Sequence, residues 1–172
     1  LELGSLKDTD RQRKEALEKE IQEIKNKDAA RIVQKKARID SLRQNVKGYP
    51  VEGFFSDTLF FIYNRSGGFT AKDRAHAISL RIINAGKKSK FNADSMRLVE
   101  GESNIDILFD ETVLMSISEN DALWNNLSKE ELAQKNLKII NAAIKKYKSE
   151  TSAAVLAKEI ALAFLVILIV GV

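Results

Sequence analysis

The last thirteen residues, Ile160-Ala161-Leu162-Ala163-Phe164-Leu165-Val166-Ile167-Leu168-Ile169-Val170-Gly171-Val172, form an uncharged apolar run with no polar stop behind it. A membrane-spanning helix needs roughly 20 such residues, so the run reads as a spanning helix cut short. The alternative is a core helix of a soluble domain. A segment apolar on every side needs lipid or protein all round it, and a soluble monomer would expose a patch larger than monomers tolerate. Ile160, Phe164, Ile167 and Leu168 are the expected lipid-facing residues, and the lipid bilayer is the expected partner.

The 172 residues suffice for one compact domain and an accessory element, and the 44% hydrophobic content excludes global disorder. A net charge of +4 is carried by Lys and Arg interspersed with Asp and Glu, a pattern that does not point to nucleic acid. No cysteine is present, which excludes disulfides, thiol nucleophiles and cysteine metal sites. The chain starts at Leu1 with no initiator Met and no signal peptide, and is read as a fragment of a longer one.

Three regions follow: an arm over 1–47, an α+β domain over 48–150, and the start of a first transmembrane helix over 151–172. From about Lys7 to Val46 the residues are mostly Lys, Arg, Glu, Gln, Asp and Ala, which predicts one long helix. Leu17, Ile21 and Ile24, then Ile32, Ile39, Leu42 and Val46, follow heptad spacing, while Asp28 and Arg31 interrupt the seam. Two short coiled-coil segments in different registers are expected, packing on the domain or on other copies of the arm.

Gly48-Tyr49-Pro50 ends the arm. Residues 57–64 are apolar at alternating and intervening positions alike, which predicts a strand central in a sheet. Thr70 with Asp73 opens a helix whose buried face is Ala75, Ile78, Ile82 and Ala85, and Gly86 is expected to stop it. Met96–Glu100, Ile105–Phe109 and Thr112–Ser118 alternate as an antiparallel meander, with Val113, Met115 and Ile117 on one face. Trp124 is expected to anchor the exit loop. Ser128-Lys129-Glu130-Glu131 is a capping box, opening a helix with the stripe Ala133, Leu137, Ile140, Ile144 and Tyr147. That helix is expected to run into the terminal apolar segment, or to break near 149–152. The fold class is therefore α+β: a long N-terminal helix, a small mostly antiparallel sheet with packed helices, and a C-terminal helix leading to the membrane.

Catalytic signals are weak. His76, the one histidine, falls on the exposed side of its helix. Asp106, Asp110 and Glu111 fit the wet side of a hairpin better than an acid–base pair. Ser66-Gly67-Gly68 lacks the Lys-Ser/Thr of a phosphate loop and reads as a turn. No enzyme activity, catalytic residue, metal or cofactor is expected. Asp57, opening the buried strand, and Arg74, on the packed helix, are expected to form a partly buried structural pair. With Tyr63 and Arg81 they mark the candidate binding pocket.

Asp57-Thr58-Leu59-Phe60-Phe61-Ile62-Tyr63, Gly68-Phe69-Thr70-Ala71-Lys72-Asp73-Arg74-Ala75 with Ile78 and Arg81-Ile82, Ile117-Ser118-Glu119-Asn120-Asp121-Ala122, and Ser128-Lys129-Glu130-Glu131-Leu132-Ala133 occur in that order ahead of the apolar run. Over about 57–148 this order resembles the extracytoplasmic N-terminal domain of the bacterial small-conductance mechanosensitive channel family. The resemblance implies a homo-oligomer, commonly a heptamer, in the bacterial cytoplasmic membrane, opened by bilayer tension, with this domain on the periplasmic side. The pore of that family lies outside this chain. Lys145, Lys146, Lys148 and Lys158 flank the run, and a basic flank favours the cytoplasmic side. The ordered motifs carry more weight here than the flank. Two other readings stay open: a membrane-tethered periplasmic sensor with a ligand pocket, and a soluble coiled-coil adaptor.

Overall fold

A computed structural model describes residues 2–87 and 95–152 and, further on, 157, 158, 160–162, 164, 166 and 167. The chain divides into two compact units, Leu1–Asn45 and Val46–Val172.

The first unit is a single helix, α1 (Glu2–Leu42). Its continuity follows from residues of high helix propensity and from ion pairs one turn apart, Arg11–Glu15 at 3.7 Å and Lys14–Glu18 at 3.9 Å. The expected seam residues Leu17, Ile21 and Ile24 are each at least half exposed, and Val33 is 68% exposed.

In the second unit, β1 (Tyr49–Glu52) and β2 (Thr58–Ile62) form an antiparallel hairpin. α2 (Ala71–Lys87) follows, then a three-stranded antiparallel sheet ordered β3 (Met96–Glu100), β4 (Asn104–Phe109) and β5 (Thr112–Ser118). The short α3 (Glu119–Asn125) and the long α4 (Lys129–Glu150) complete the unit. The architecture is α+β, with a long N-terminal helix and two small antiparallel sheets.

Each helix start has a local cause. Thr70 accepts from the Asp73 N–H at 3.2 Å while the Asp73 carboxylate accepts from the Thr70 N–H at 3.2 Å. Ser118 with Asp121 and Ser128 with Glu131 form the same reciprocal box at α3 and α4. Each box satisfies amide donors that have no partner inside the helix. The apolar stripes then converge. Ala75, Ile78, Ile82 and Ala85 from α2, Ile105, Ile107 and Phe109 from β4, and Leu132, Ala133, Ile140 and Ile144 from α4 build one core. Ser79 belongs to the buried face of α2 because its hydroxyl donates to the Ala75 carbonyl at 2.9 Å and accepts from the Glu52 N–H at 2.8 Å, tying helix to hairpin.

Four expectations are corrected. β2 is not central: among the described residues it pairs only with β1, in a two-stranded sheet. Its apolar residues serve packing against α2 and α4, with Leu59 and Phe60 partly buried against the core and Phe61 45% exposed. Gly86 does not end α2. It lies inside the helix, buried, where a Cβ would land on the Phe54 ring, 2.7 Å from Cε1. In β5 the register shifts, since Ile107 pairs with Met115 and Leu108 with Val113. Leu114 is the extra residue of this bulge and is fully buried beside Met115, which turns Val113 out to 37% exposure.

Trp124 sits within α3 rather than in a loop. Of the two courses expected for α4, the structure takes the break near 149–152. The helix ends at Glu150, where both the N–H and the hydroxyl of Thr151 bond the Tyr147 carbonyl, at 2.9 and 2.7 Å. A side chain that takes a helical carbonyl in this way competes with continuation of the helix.

Candidate functional site

Arg74 projects from the first turns of α2 and is held on several sides. Its Nη1 and Nη2 donate to the two carboxylate oxygens of Asp121 at 2.9 and 3.0 Å. Nη1 also donates to the Asn64 carbonyl at 2.8 Å and to Asn64 Oδ1 at 3.1 Å. The side chains of the pair are 10% and 3% exposed, so this is a buried, bidentate ion pair of the geometry that offsets desolvation best.

Asp121 also serves α3. Its Oδ2 accepts from the Ser118 N–H at 3.0 Å and from the Ser118 hydroxyl at 2.6 Å. One carboxylate thus caps a helix and clamps α2 to it. The expected Asp57–Arg74 pair is therefore corrected. Asp57 is exposed in the turn after β1, where its carbonyl accepts from the Gly53 N–H at 2.8 Å. Ser118-x-x-Asp121 has the spacing of a capping box, an unused local signal for the start of α3, and nothing local shows that its carboxylate also takes the arginine.

Tyr63 is likewise apart from the arginines. Its ring stacks on Trp124 with centroids 5.5 Å apart and planes 9° apart, and Phe61 flanks it at 6.4 Å. This stack joins the end of the β1–β2 hairpin to α3.

The residues that do come together form a groove of about 170 Å³ lined by three elements. α2 contributes Arg74, Ala77, Ile78 and Arg81, a stripe at helical spacing. The sheet contributes Asn104, Ser116 and Ser118, with Asn104 and Ser118 opposite each other in the register of β4 and β5. The turn before α2 contributes Ser66 and Phe69. Ser66 and Phe69 exchange backbone bonds of 3.1 and 3.0 Å around Gly67, whose φ of 56° suits glycine, and this turn presents Phe69 at 65% exposure. Two of the four expected pocket residues, Arg74 and Arg81, line the groove; Asp57 and Tyr63 do not.

The two arginines differ. Arg74 is neutralised by Asp121, whereas Arg81 is exposed and has no carboxylate within 4.0 Å among the described residues. Among the described residues no acidic side chain lines the groove. His76 is exposed on α2, and among the described residues no group of three or more His, Cys, Asp or Glu is placed to hold a metal ion.

Of the expected membrane residues, Ile160, Phe164 and Ile167 are 57%, 64% and 67% exposed, and Leu168 lies outside the described residues. Among the described residues no helix is long and apolar enough to cross a membrane.

A family model described as a domain of unknown function (DUF8459) matches residues 50–147. No curated protein and no solved structure matches the chain.

Proposed function

Because the chain belongs to the DUF8459 family, whose description assigns no activity, we propose its role from its own residues: a non-enzymatic extramembrane domain carried on a segment that enters lipid. The observation that carries this reading is the uncharged run 160–172, whose described residues Ile160, Leu162, Phe164, Val166 and Ile167 are all at least half exposed. The core of the second unit is built from residues between Val51 and Ile144 and includes none of the run's described residues. Lipid supplies cover for a segment apolar on every side.

Within this reading the domain belongs to a homo-oligomeric, tension-gated channel of the bacterial cytoplasmic membrane and stands on the periplasmic side, where it assists assembly or biases gating. Its support is the ordered set of motifs from Asp57 to Ala133 ahead of the apolar run. Such a bias requires the domain to contact its neighbours or the lipid differently in closed and open states.

Vesicle flotation tests the membrane reading. The 172-residue chain is expected to float with neutral phosphatidylcholine vesicles in high salt, and the Phe164→Asp/Ile167→Asp chain to remain at the bottom. Equal behaviour of the two chains would end the proposal. Patch recordings of the protein in its native membrane, with and without residues 1–150, test the channel reading, for which a shifted tension threshold is expected.

A further inference from the structure

The groove between α2 and β5 joins four properties that the fold does not otherwise use. It holds a guanidinium with no counter-ion among the described residues, Arg81. It has an apolar floor, Ala77 and Ile78, and an outward phenyl wall, Phe69. Its polar rim is made by Ser66, Asn104 and Ser116.

Arg74 and Ser118 also line it, but both are engaged by Asp121 and give the groove its shape rather than free hydrogen-bonding capacity. At about 170 Å³ it has room for about five or six water volumes, below the size of a cofactor site. Only a small ligand fits.

The charge of that ligand follows from the lining. A free guanidinium presents a fork of N–H donors that matches a carboxylate or phosphate. Asp106 limits the total charge, because it stands opposite Ser116 in the β4–β5 register. With Arg74 neutralised by Asp121, Arg81 unpaired among the described residues and Asp106 beside Ser116, a single negative charge is matched and a dianion is not.

We propose that the α2–β5 groove binds a small monoanionic carboxylate with an apolar or aromatic body, its carboxylate on Arg81 and its body between Phe69 and Ile78. Arg74 is a positioning residue: clamped by Asp121, it fixes the helix face on which Arg81 stands. The proposal is independent of the membrane reading, since vesicle flotation tests that one and ligand binding tests this one.

The experiment is a thermal-shift and calorimetric titration of the full 172-residue chain in nonionic detergent with benzoate, phenyl phosphate and the neutral isostere benzamide. Benzoate is expected to raise the melting temperature saturably and benzamide to leave it unchanged. Arg81→Gln is expected to melt as the parent chain does and to bind benzoate about tenfold to a hundredfold more weakly, the loss of one charge-assisted contact. Lys72→Gln, which removes an exposed charge of the same helix outside the groove, is expected to bind as the parent chain does. Phe69→Ala is expected to weaken benzoate and to leave the preference over benzamide intact. Equal binding of benzoate and benzamide, no saturable binding of benzoate, undiminished binding by Arg81→Gln, or tighter binding of phenyl phosphate than of benzoate each overturns the proposal.

Discussion

The arm and the domain are built from similar residues and use them in opposite ways. α1 and α4 are both long helices rich in Lys and Glu. α4 sets Leu132, Ala133, Ile140 and Ile144 on one stripe and buries all four, whereas α1 leaves Leu17, Ile21, Ile24 and Val33 exposed. Their ion pairs differ in the same sense. Arg11–Glu15 is 74% and 62% exposed and joins neighbours on one helix, while Arg74–Asp121 is 10% and 3% exposed and joins α2 to α3. The lesson is that charge content does not decide whether a helix belongs to a core; the continuity of its apolar stripe does. An ion pair matters to stability in proportion to how far both partners have left water.

The largest effect is expected from Arg74→Ala, which leaves the Asp121 carboxylate buried without its partner and costs about 3–5 kcal/mol in denaturant unfolding. Glu15→Gln in the arm, measured the same way, is expected to change stability by less than about 1 kcal/mol. Next comes Ile140→Ala, which empties a fully buried position of α4 at a cost of about 2–5 kcal/mol, against about 0.5 kcal/mol or less for Ile21→Ala in α1. If copies of the arm pair through Ile21, the Ile21→Ala loss becomes concentration-dependent, and sedimentation of both chains separates the two outcomes.

Gly86→Ala is third. Its new Cβ meets the Phe54 ring, itself stacked on Tyr147 at 4.2 Å, and overpacking of this kind costs about 1–3 kcal/mol despite the better helix propensity of alanine. The smallest effect is at the start of α2. The Thr70 hydroxyl and the Thr70 N–H both donate to the Asp73 carboxylate and hold its pKa below the ordinary 3.8. A carboxyl depressed on folding contributes stability that is present above 3.8 and is lost as pH falls through the lowered folded value. Thr70→Ala is expected to return the Asp73 pKa toward 3.8 in a carbon-detected NMR titration and to flatten that part of the stability profile.

How much of this was legible follows from how local each cause is. α2, α4 and their caps could be read because a capping box spans four residues and an apolar stripe repeats every turn. The meander could be read because Ile105, Ile107 and Phe109 recur at every second position, set against Asp106 and Asp110. The bulge at Leu114 could not, since Val113-Leu114-Met115 is apolar throughout and only pairing with β4 shows which residue is extra. β2 misled for a related reason: consecutive apolar residues say that a strand is covered, and are silent on whether strands or helices cover it.

The candidate site divides in the same way. Arg81 and Arg74 fall seven residues apart on one helix face, so their common groove was within reach of periodicity. Asp121, 47 residues from Arg74, was not.

The local sequence was enough for α1, for α2 and α4 with their starts, for the three-stranded meander and for the uncharged character of the last thirteen residues, because those properties depend on neighbours a few positions away; the short α3 was not among them. Only the tertiary structure shows that Asp121 rather than Asp57 meets Arg74, that Gly86 makes room for Phe54 inside a helix, and that Arg81 faces a groove with no counter-ion among the described residues. Those depend on which distant surfaces close against each other, and burial turns such a meeting from a weak surface contact into a costly one to break.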